Sequence, residues 1–472
     1  MKLKNKKIGI VDPIFKCRLL VLTDIGNEPD DQQSLIRLLT YANELDIEGL
    51  IATTSRWQKN IIRPDLIQDV INVYGGIPRQ NLMIHTNDYF PTKEELFALI
   101  KKGPSKYGME AVGPLQDSEG SEWLIKVVDR PDPRPVWITI WGGSNCLAQA
   151  LYKVKHRRTQ KERDAFIEKI RVYAIADQDD SGKGIRSNFK DLFYIVSPSD
   201  PSTADISNED YQKATWTGIS GELLYKFKGG PNSKLITNRW VRENIRINHG
   251  PLGKIYPRIA FAMEGDTPSF LNLIPNGLRS SQSPTFGGWG GRYELYQPKG
   301  EDRPIFTHSE DTVFVGTGFG KIKGDKEGIY QSNQATIWRW REAYQNDFAA
   351  RMDWAATPHY ENANHPPDIK INGKLDLTVN GNEIVNLNAE GTSDPDGNDL
   401  YFHWFQYKEA GNYDGGVFIT NPELVKTALK FKDPKKHGIV HIILEVKDDG
   451  QPCLYRYARI IIKIKGNKDN LN

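Results

Sequence analysis

The sequence predicts an α/β domain with an open, mostly parallel sheet and helices on both of its faces, followed by an all-β sandwich. Three observations carry that reading. Apolar runs of strand length alternate with stretches of helical spacing through the first part of the chain. Polar loops rich in Asp or Gly close three of those runs. Beyond the proline pair Pro366-Pro367 the pattern changes to short alternating segments separated by turn signals.

The elements follow in order. Arg18–Thr23 is a short apolar strand that ends in the acidic loop Asp24–Asp31, and Ser34–Asn43 has Leu35, Leu38 and Leu39 on one helical face. Ile47–Thr53 reads as a strand, Asp65–Tyr74 as a helix and Leu82–His85 as a third, short strand. Trp123–Val128 is helical and Val136–Trp141 a strand; the turn Gly142-Gly-Ser-Asn145 leads into a helix over Leu147–Val154. Ile170–Ile175 is a further strand, entering Asp177-Gln-Asp-Asp-Ser-Gly182. In open parallel sheets ligands bind at the carboxyl ends of strands, so the three loops mark one face as the place for a site. A Gly- and aromatic-rich stretch, 276–303, reads as an ordered loop at that face, and Ala335–Trp354 as a helix. The expected domains are 1–358, a linker 359–368 and a sandwich 369–472, with strands over 374–379, 384–389, 401–407, 440–446 and 457–464.

Bulk properties narrow the function. A chain of 472 residues suits two or three domains. Its 62 basic and 60 acidic residues nearly cancel, which gives no ground for a nucleic-acid or membrane-surface partner. No apolar run has the length of a membrane span. Cys17, Cys146 and Cys453 are too far apart for a metal-ligand spacing, and their odd number forms no disulfide framework. The 11 Trp suit either a sugar-facing surface or an aromatic core. Trp57, Trp141, Trp216 and Trp289 are the candidates for stacking on a sugar ring, with core packing favoured for Trp141. A basic start without a sustained apolar stretch is no signal peptide. The expectation is a secreted or periplasmic protein whose signal has been removed, or a cytoplasmic one if Met1 is the native start.

Chemistry concentrates in Thr23-Asp24-Ile-Gly-Asn-Glu28-Pro-Asp30-Asp31. Four acids in eight residues at a strand end repel one another unless a positive charge sits among them. With oxygen donors alone, a hard cation is implied, Ca²⁺ before Mg²⁺. The alternative is an acid-enriched helix start, which suits Asp30 or Asp31 but not Asp24. Asp179, with Asp177 and Asp180, offers contacts to sugar hydroxyls or forms an ordinary Asp-rich turn. Asp394 and Asp396 are read as an Asx turn in preference to a Ca²⁺ site.

A strand leading into Asp24-x-Gly26 and Asp30-Asp31, then a helix, resembles the opening of the nucleoside hydrolase superfamily, here with two extra loop residues. That resemblance implies a Ca²⁺-held water, with Asp24, Asp31, the Ser144 carbonyl and Asp266 as ligands and Asp24 also as the base. Trp141-Gly-Gly-Ser144-Asn145 stands where the family has Gly-Pro-Leu-Thr-Asn, and Asp266, in Glu264-Gly-Asp-Thr-Pro-Ser269, where it has its distant aspartate. An N-cap is the other reading of Asp266. Glu264 is the first choice of general acid; Asp30, Trp57, Asn60, Asn145, Asp179 and Trp289 are the expected substrate contacts. The four stretches 23–31, 141–145, 264–269 and 348–354 are similar to a bacterial subfamily labelled cellulose-binding, which joins such a domain to an immunoglobulin-like sandwich. Ser393-Asp-Pro-Asp-Gly before Tyr401-Phe-His-Trp-Phe resembles the polycystic-kidney-disease and cadherin-like repeats. The resemblance implies a metal-dependent hydrolase of glycosyl bonds, on a furanoside of plant or microbial origin. The alternatives are a non-catalytic binder of a cellulose-like polysaccharide and a nucleoside hydrolase of salvage. The expected partner is a carbohydrate or small glycoside, and a homo-oligomer is allowed.

Overall fold

A computed structural model describes residues 16–198, 230–315 and 328–466; Trp216 and the basic start lie outside them. The described residues fall into two compact units, one over 16–274 and 287–360, the other combining 275–286 with 361–472. The aromatic-rich stretch 276–303, expected as one loop of the α/β domain, is therefore divided. Its first part belongs to the sandwich unit, where the Tyr457 amide donates to the Asn276 carbonyl at 3.0 Å.

In the larger unit, β1 (Cys17–Thr23) leads to α1 (Pro29–Thr40), β2 (Leu45–Ala52), α2 (Pro64–Tyr74), α3 (Ile77–Thr86) and α4 (Lys93–Leu99). Then come β3 (Ile100–Lys102), α5 (Glu119–Val128), β4 (Val136–Ile140), α6 (Asn145–Arg157), α7 (Gln160–Glu168), β5 (Ile170–Ala176), α8 (Ser181–Asn188) and β6 (Phe193–Ser197). With β7 (Tyr293–Tyr296) and β8 (Ile305–His308) they build one sheet in the order β3-β2-β1-β4-β5-β6-β8-β7. Every pairing in it is parallel except β7 with β8. The central strands β1, β4, β5 and β6 are buried on both faces, as continuous apolar runs such as Leu19–Leu22 require. One correction falls here. Leu82–His85 is not a strand but the end of α3, which starts with proline in its first turn and buries Pro78, Asn81, Leu82 and His85 at helical spacing. A four-residue apolar run fits either period, and the third strand is the short β3 instead.

The order has a consequence for function. From β1 the chain winds outward to β2 and β3, then returns to β4 on the other side and winds the opposite way. The reversal opens a crevice between the carboxyl ends of β1 and β4, where a doubly wound sheet takes its ligand.

After a hairpin of β9 (Asp311–Val315) and β10 (Gly328–Ser332), the sandwich unit supplies a four-stranded sheet, β11-β17-β16-β13, and a three-stranded one, β12-β15-β14. Their ranges are β11 (Asp376–Asn380), β12 (Val385–Asn388), β13 (Leu400–Gln406), β14 (Val417–Ile419), β15 (Lys426–Phe431), β16 (Gly438–Asp448) and β17 (Tyr455–Lys465). Inward residues of both sheets, among them Leu387, Trp404, Leu429, Ile442 and Ile460, form its core. The sequence marks five of the seven strands and misses β14 and β15.

Candidate active site

Four acids meet at the crevice. Asp24 follows β1 directly, Asp30 and Asp31 stand in the first turn of α1, and Asp266 comes from a loop far along the chain; all four are buried. Oxygens of Asp30, Asp31 and Asp266 lie within 4.8 Å of one another. Backbone amides of Asp30, Asp31 and Gly265 bond to the Asp30 carboxyl, and the Thr23 hydroxyl donates to Asp31. Asp30 Oδ1 and Asp266 Oδ2 are buried with no partner. The helix Pro268–Leu271 begins at Thr267, and Asp266 contributes only its carbonyl, to Ser269, so the N-cap reading of Asp266 fails.

Electrostatics make the group unstable by itself. Burial pushes Asp24 up to about 7 and Asp30 to about 6. Asp31 and Asp266 are driven well above the usual carboxylate range, first by burial and then by the charges of neighbouring acids. Half-buried Glu28 joins the group and is raised to about 8 by burial and by Asp30 and Asp24. Two carboxylates 4.8 Å apart repel by about 3–4 kcal/mol at an effective dielectric of about 20. Two bare buried oxygens, an all-oxygen donor set and this repulsion fit a hard divalent cation.

Asp24 stands slightly apart from the other three. The Ser55 hydroxyl bonds to it, and Gly142 passes so close that a Cβ there would lie 2.6 Å from its Oδ1. Gly142 is thus glycine because Asp24 occupies the space of a side chain. Gln58 Nε2 donates to the Asp24 carbonyl at 3.1 Å, drawing the loop after β2 over the crevice. The Arg56 amide donates to the Gln178 carbonyl at 2.7 Å and ties that loop to the one after β5.

Several expected roles change. Glu264 is wholly buried, with Arg37 at 2.5 Å and hydrogen bonds from Tyr256 and Thr267. Held this way, the side chain acts as an anchor. It has the left-handed φ of +50° and binds the loop of Asp266 to α1, because Arg37 lies two turns along α1 from Asp30. The Ser144 carbonyl accepts the Ala148 amide at 3.0 Å as the first acceptor of α6, which engages one of its two lone pairs. Asp179 is spent on structure. Its Oδ2 accepts the Asn145 amide at 3.2 Å, capping α6, and its Oδ1 takes the amide and hydroxyl of Ser181. Trp289 has no exposed surface and is core, not a sugar platform.

Three further expected contacts lie after β2 and β4. Asn145 is buried beside the crevice, its Nδ2 donating to Thr54 Oγ1 at 2.9 Å and to the Lys106 carbonyl at 2.8 Å, while its Oδ1 has no partner. Trp57 is 39 % exposed with the Arg56 guanidinium 4.7 Å from its ring centre, and Asn60 is exposed on the same loop. Sequence reasoning missed Arg37, Ser55 and the packing of Gly142 on Asp24. For Arg37 a signal existed, since an arginine on the buried stripe of an apolar helix demands a buried acid.

The switch-point crevice, with its acids on the loop after β1, defines the class: this is a nucleoside hydrolase-like α/β protein. A family model described as the cellulose-binding Sde182, nucleoside hydrolase-like domain, matches residues 18–293, and one for the C-terminal domain of the cellulose-binding protein Sde0182 matches 384–464. A solved structure from Saccharophagus degradans, titled a nucleoside hydrolase-related hypothetical protein associated with carbohydrate metabolism, is 34 % identical. It covers 96 % of this chain and 100 % of its own, with a TM-score of 0.77. The chain belongs to this Sde182 family. Fainter likenesses bear no argument: the type III effector protein XopQ, complexed with adenosine diphosphate ribose, is 9 % identical at a TM-score of 0.32, covering 74 % of this chain and 96 % of its own. The PKD domain from the KIAA 1837 protein is 14 % identical at 0.15, covering 20 % and 85 %. No curated protein matches the chain.

Proposed function

We propose that the crevice is the site of a cation-dependent hydrolase of glycosyl bonds whose substrate is a carbohydrate or small glycoside. The observation that carries this reading is the group Asp30, Asp31 and Asp266, three buried carboxylates within 4.8 Å of one another. These three would hold the cation, Ca²⁺ before Mg²⁺. Such an ion, when bound, supplies an acidified water held in one direction. Asp24, beside the group and bonded to Ser55, would take the proton as that water attacks an anomeric carbon. The glycosyl bond breaks, its electron pair leaving with the aglycone, which takes a proton from solvent. Asn145 Oδ1 is an acceptor for a sugar hydroxyl, and Trp57, on the loop above, offers an apolar face to a ring. Arg37 and Glu264 keep Asp266 against α1. The family description as cellulose-binding and the carbohydrate association of the Saccharophagus degradans relative support a sugar ligand.

One observation favours a second reading. Glu264, the foremost candidate for a proton donor, is locked to Arg37, which suits a crevice that binds carbohydrate without cleaving it. A panel of aryl furanosides and pyranosides, together with cello-oligosaccharide binding, separates the two when wild type and Asp24→Asn are compared with Ca²⁺ and with chelator. Turnover that needs Ca²⁺ and disappears in Asp24→Asn supports the hydrolase. Absence of turnover throughout, with sugar affinity equal in both proteins, replaces it with the binding reading.

A further inference from the structure

The sandwich unit holds a buried carboxylate, Asp448, and a half-buried one, Asp394, on loops distant in sequence. Asp394 lies in the turn between β12 and β13, and Asp448 closes β16 with no exposed surface. One oxygen of each is saturated by N–H donors. Asp448 Oδ1 accepts from Asn364 Nδ2 at 3.0 Å, the Gly450 amide at 3.0 Å and the Leu454 amide at 2.9 Å. Asp394 Oδ1 accepts from the amides of Asp396 at 2.9 Å and Asn398 at 3.1 Å. The second oxygen of each, Oδ2, is buried with no partner. Asn364, on Asp448, and Asn398, whose amide is on Asp394, are hydrogen-bonded to each other and bring the two loops together. The Asp394 charge adds to burial in holding the Asp448 carboxyl up.

The neighbours supply oxygen and no positive charge. Asn364 links the two loops, its Nδ2 on Asp448 and its Oδ1 accepting Asn398 Nδ2 at 2.8 Å. The nearby acid Asp396 is engaged elsewhere, by the His365 amide at 2.6 Å and the His365 ring at 3.0 Å. Burial holds that imidazole below its ordinary pKa, so it brings no positive charge to Asp394 and Asp448 at neutral pH.

We infer that the sandwich carries a second cation site, separate from the crevice of the large sheet, in which Asp394 and Asp448 present their bare Oδ2 atoms to one hard divalent cation of the Ca²⁺ type. The donors are oxygens, as such a cation requires, and backbone carbonyls and water complete its shell. The amides on each Oδ1 orient the carboxylates from behind, the task of the supporting groups at a metal site. The cation joins the segment before β11, the β12–β13 turn and the β16–β17 hairpin, and so stabilises the sandwich against unfolding.

Calorimetric titration of Ca²⁺ into the chelator-stripped full chain decides the matter, with wild type beside Asp448→Asn, Asp394→Asn and Asp31→Asn. Each sandwich variant is expected to lose one equivalent of Ca²⁺ that Asp31→Asn retains. The Ca²⁺-induced rise in the melting temperature of the sandwich disappears with it. Unchanged Ca²⁺ stoichiometry in both sandwich variants overturns the site and leaves a pair of carboxylates sharing a proton. Asp394 is in a surface turn, so Asp394→Asn keeps the test decisive should Asp448→Asn fail to fold. Loss of binding in Asp31→Asn alone supports the crevice site and refutes this one, and the reverse pattern does the opposite.

Discussion

The α/β unit buries two kinds of carboxylate, and they differ in what surrounds them. Asp177 receives both Nη1 and Nη2 of Arg186 at 2.8 Å, Asp311 is held by Arg292 at 2.8 Å and Arg339 at 3.1 Å, and Asp347 by Arg351 at 2.9 Å. Glu264 has Arg37. At the crevice, Asp24, Asp30, Asp31 and Asp266 are equally buried, and among the described residues no ion pair reaches them. In these struts the fold provides an arginine within the same chain, whereas structural Asp179 is held by amides and the Ser181 hydroxyl. Where it gathers acids without one, neutralisation must come from protons or from a bound cation.

That contrast can be broken most forcefully at a strut. Arg37→Met leaves Glu264 buried and unpaired, and chemical denaturation should show a loss of about 3–5 kcal/mol, as for other buried pairs cut on one side. The crevice acids should respond in the opposite sense. Asp30→Asn in chelator-stripped protein removes a repelling charge and should raise stability by on the order of 1–3 kcal/mol, the scale of one such pair partly relaxed. A loss of stability of the strut kind in Asp30→Asn would erase the distinction between the two classes.

The effect of pH sharpens the comparison further. A carboxyl whose folded pKa is raised binds protons more tightly in the folded state, so its contribution to stability is present at low pH and is lost as pH rises through the folded value. For Asp24 the window runs from 3.8 to about 7. Metal-free protein should therefore melt at lower temperature at pH 8 than the crevice acids allow at pH 5. The gain in melting temperature from added Ca²⁺ should be larger at pH 8, where the cation has no protons to displace. Equal Ca²⁺ gains at the two pH values would mean that the crevice acids do not bind the ion.

Legibility in the sequence followed the distance over which each feature is decided. The strands and helices around the crevice show in local periodicity, and Asp24, Asp30 and Asp31 stand out because they are crowded into one loop. Asp266 was reached only by resemblance. Glu264 was misread because its partner Arg37 is 227 positions away, and nothing local shows that an acid beside a glycine will be wholly buried. Trp289 failed for a similar reason. A tryptophan in a Gly-rich stretch has the composition of a sugar platform, and only packing makes it core. For Ser144 and Asp179 the sequence gives the loop but not the hydrogen bonds at the start of α6, which engage the carbonyl of one and the carboxylate of the other.

By itself the sequence determined the alternation that builds a parallel sheet, the sandwich that follows it and the acidic loop at the end of the first strand. These rest on spacing and on like charges close along the chain, both local quantities. Only the tertiary structure decided which buried acids are paired with an arginine of the same chain and which are not. Charge compensation is settled by which side chains packing brings together, some a single helical turn apart, as Asp347 and Arg351, and others 227 positions apart, as Arg37 and Glu264.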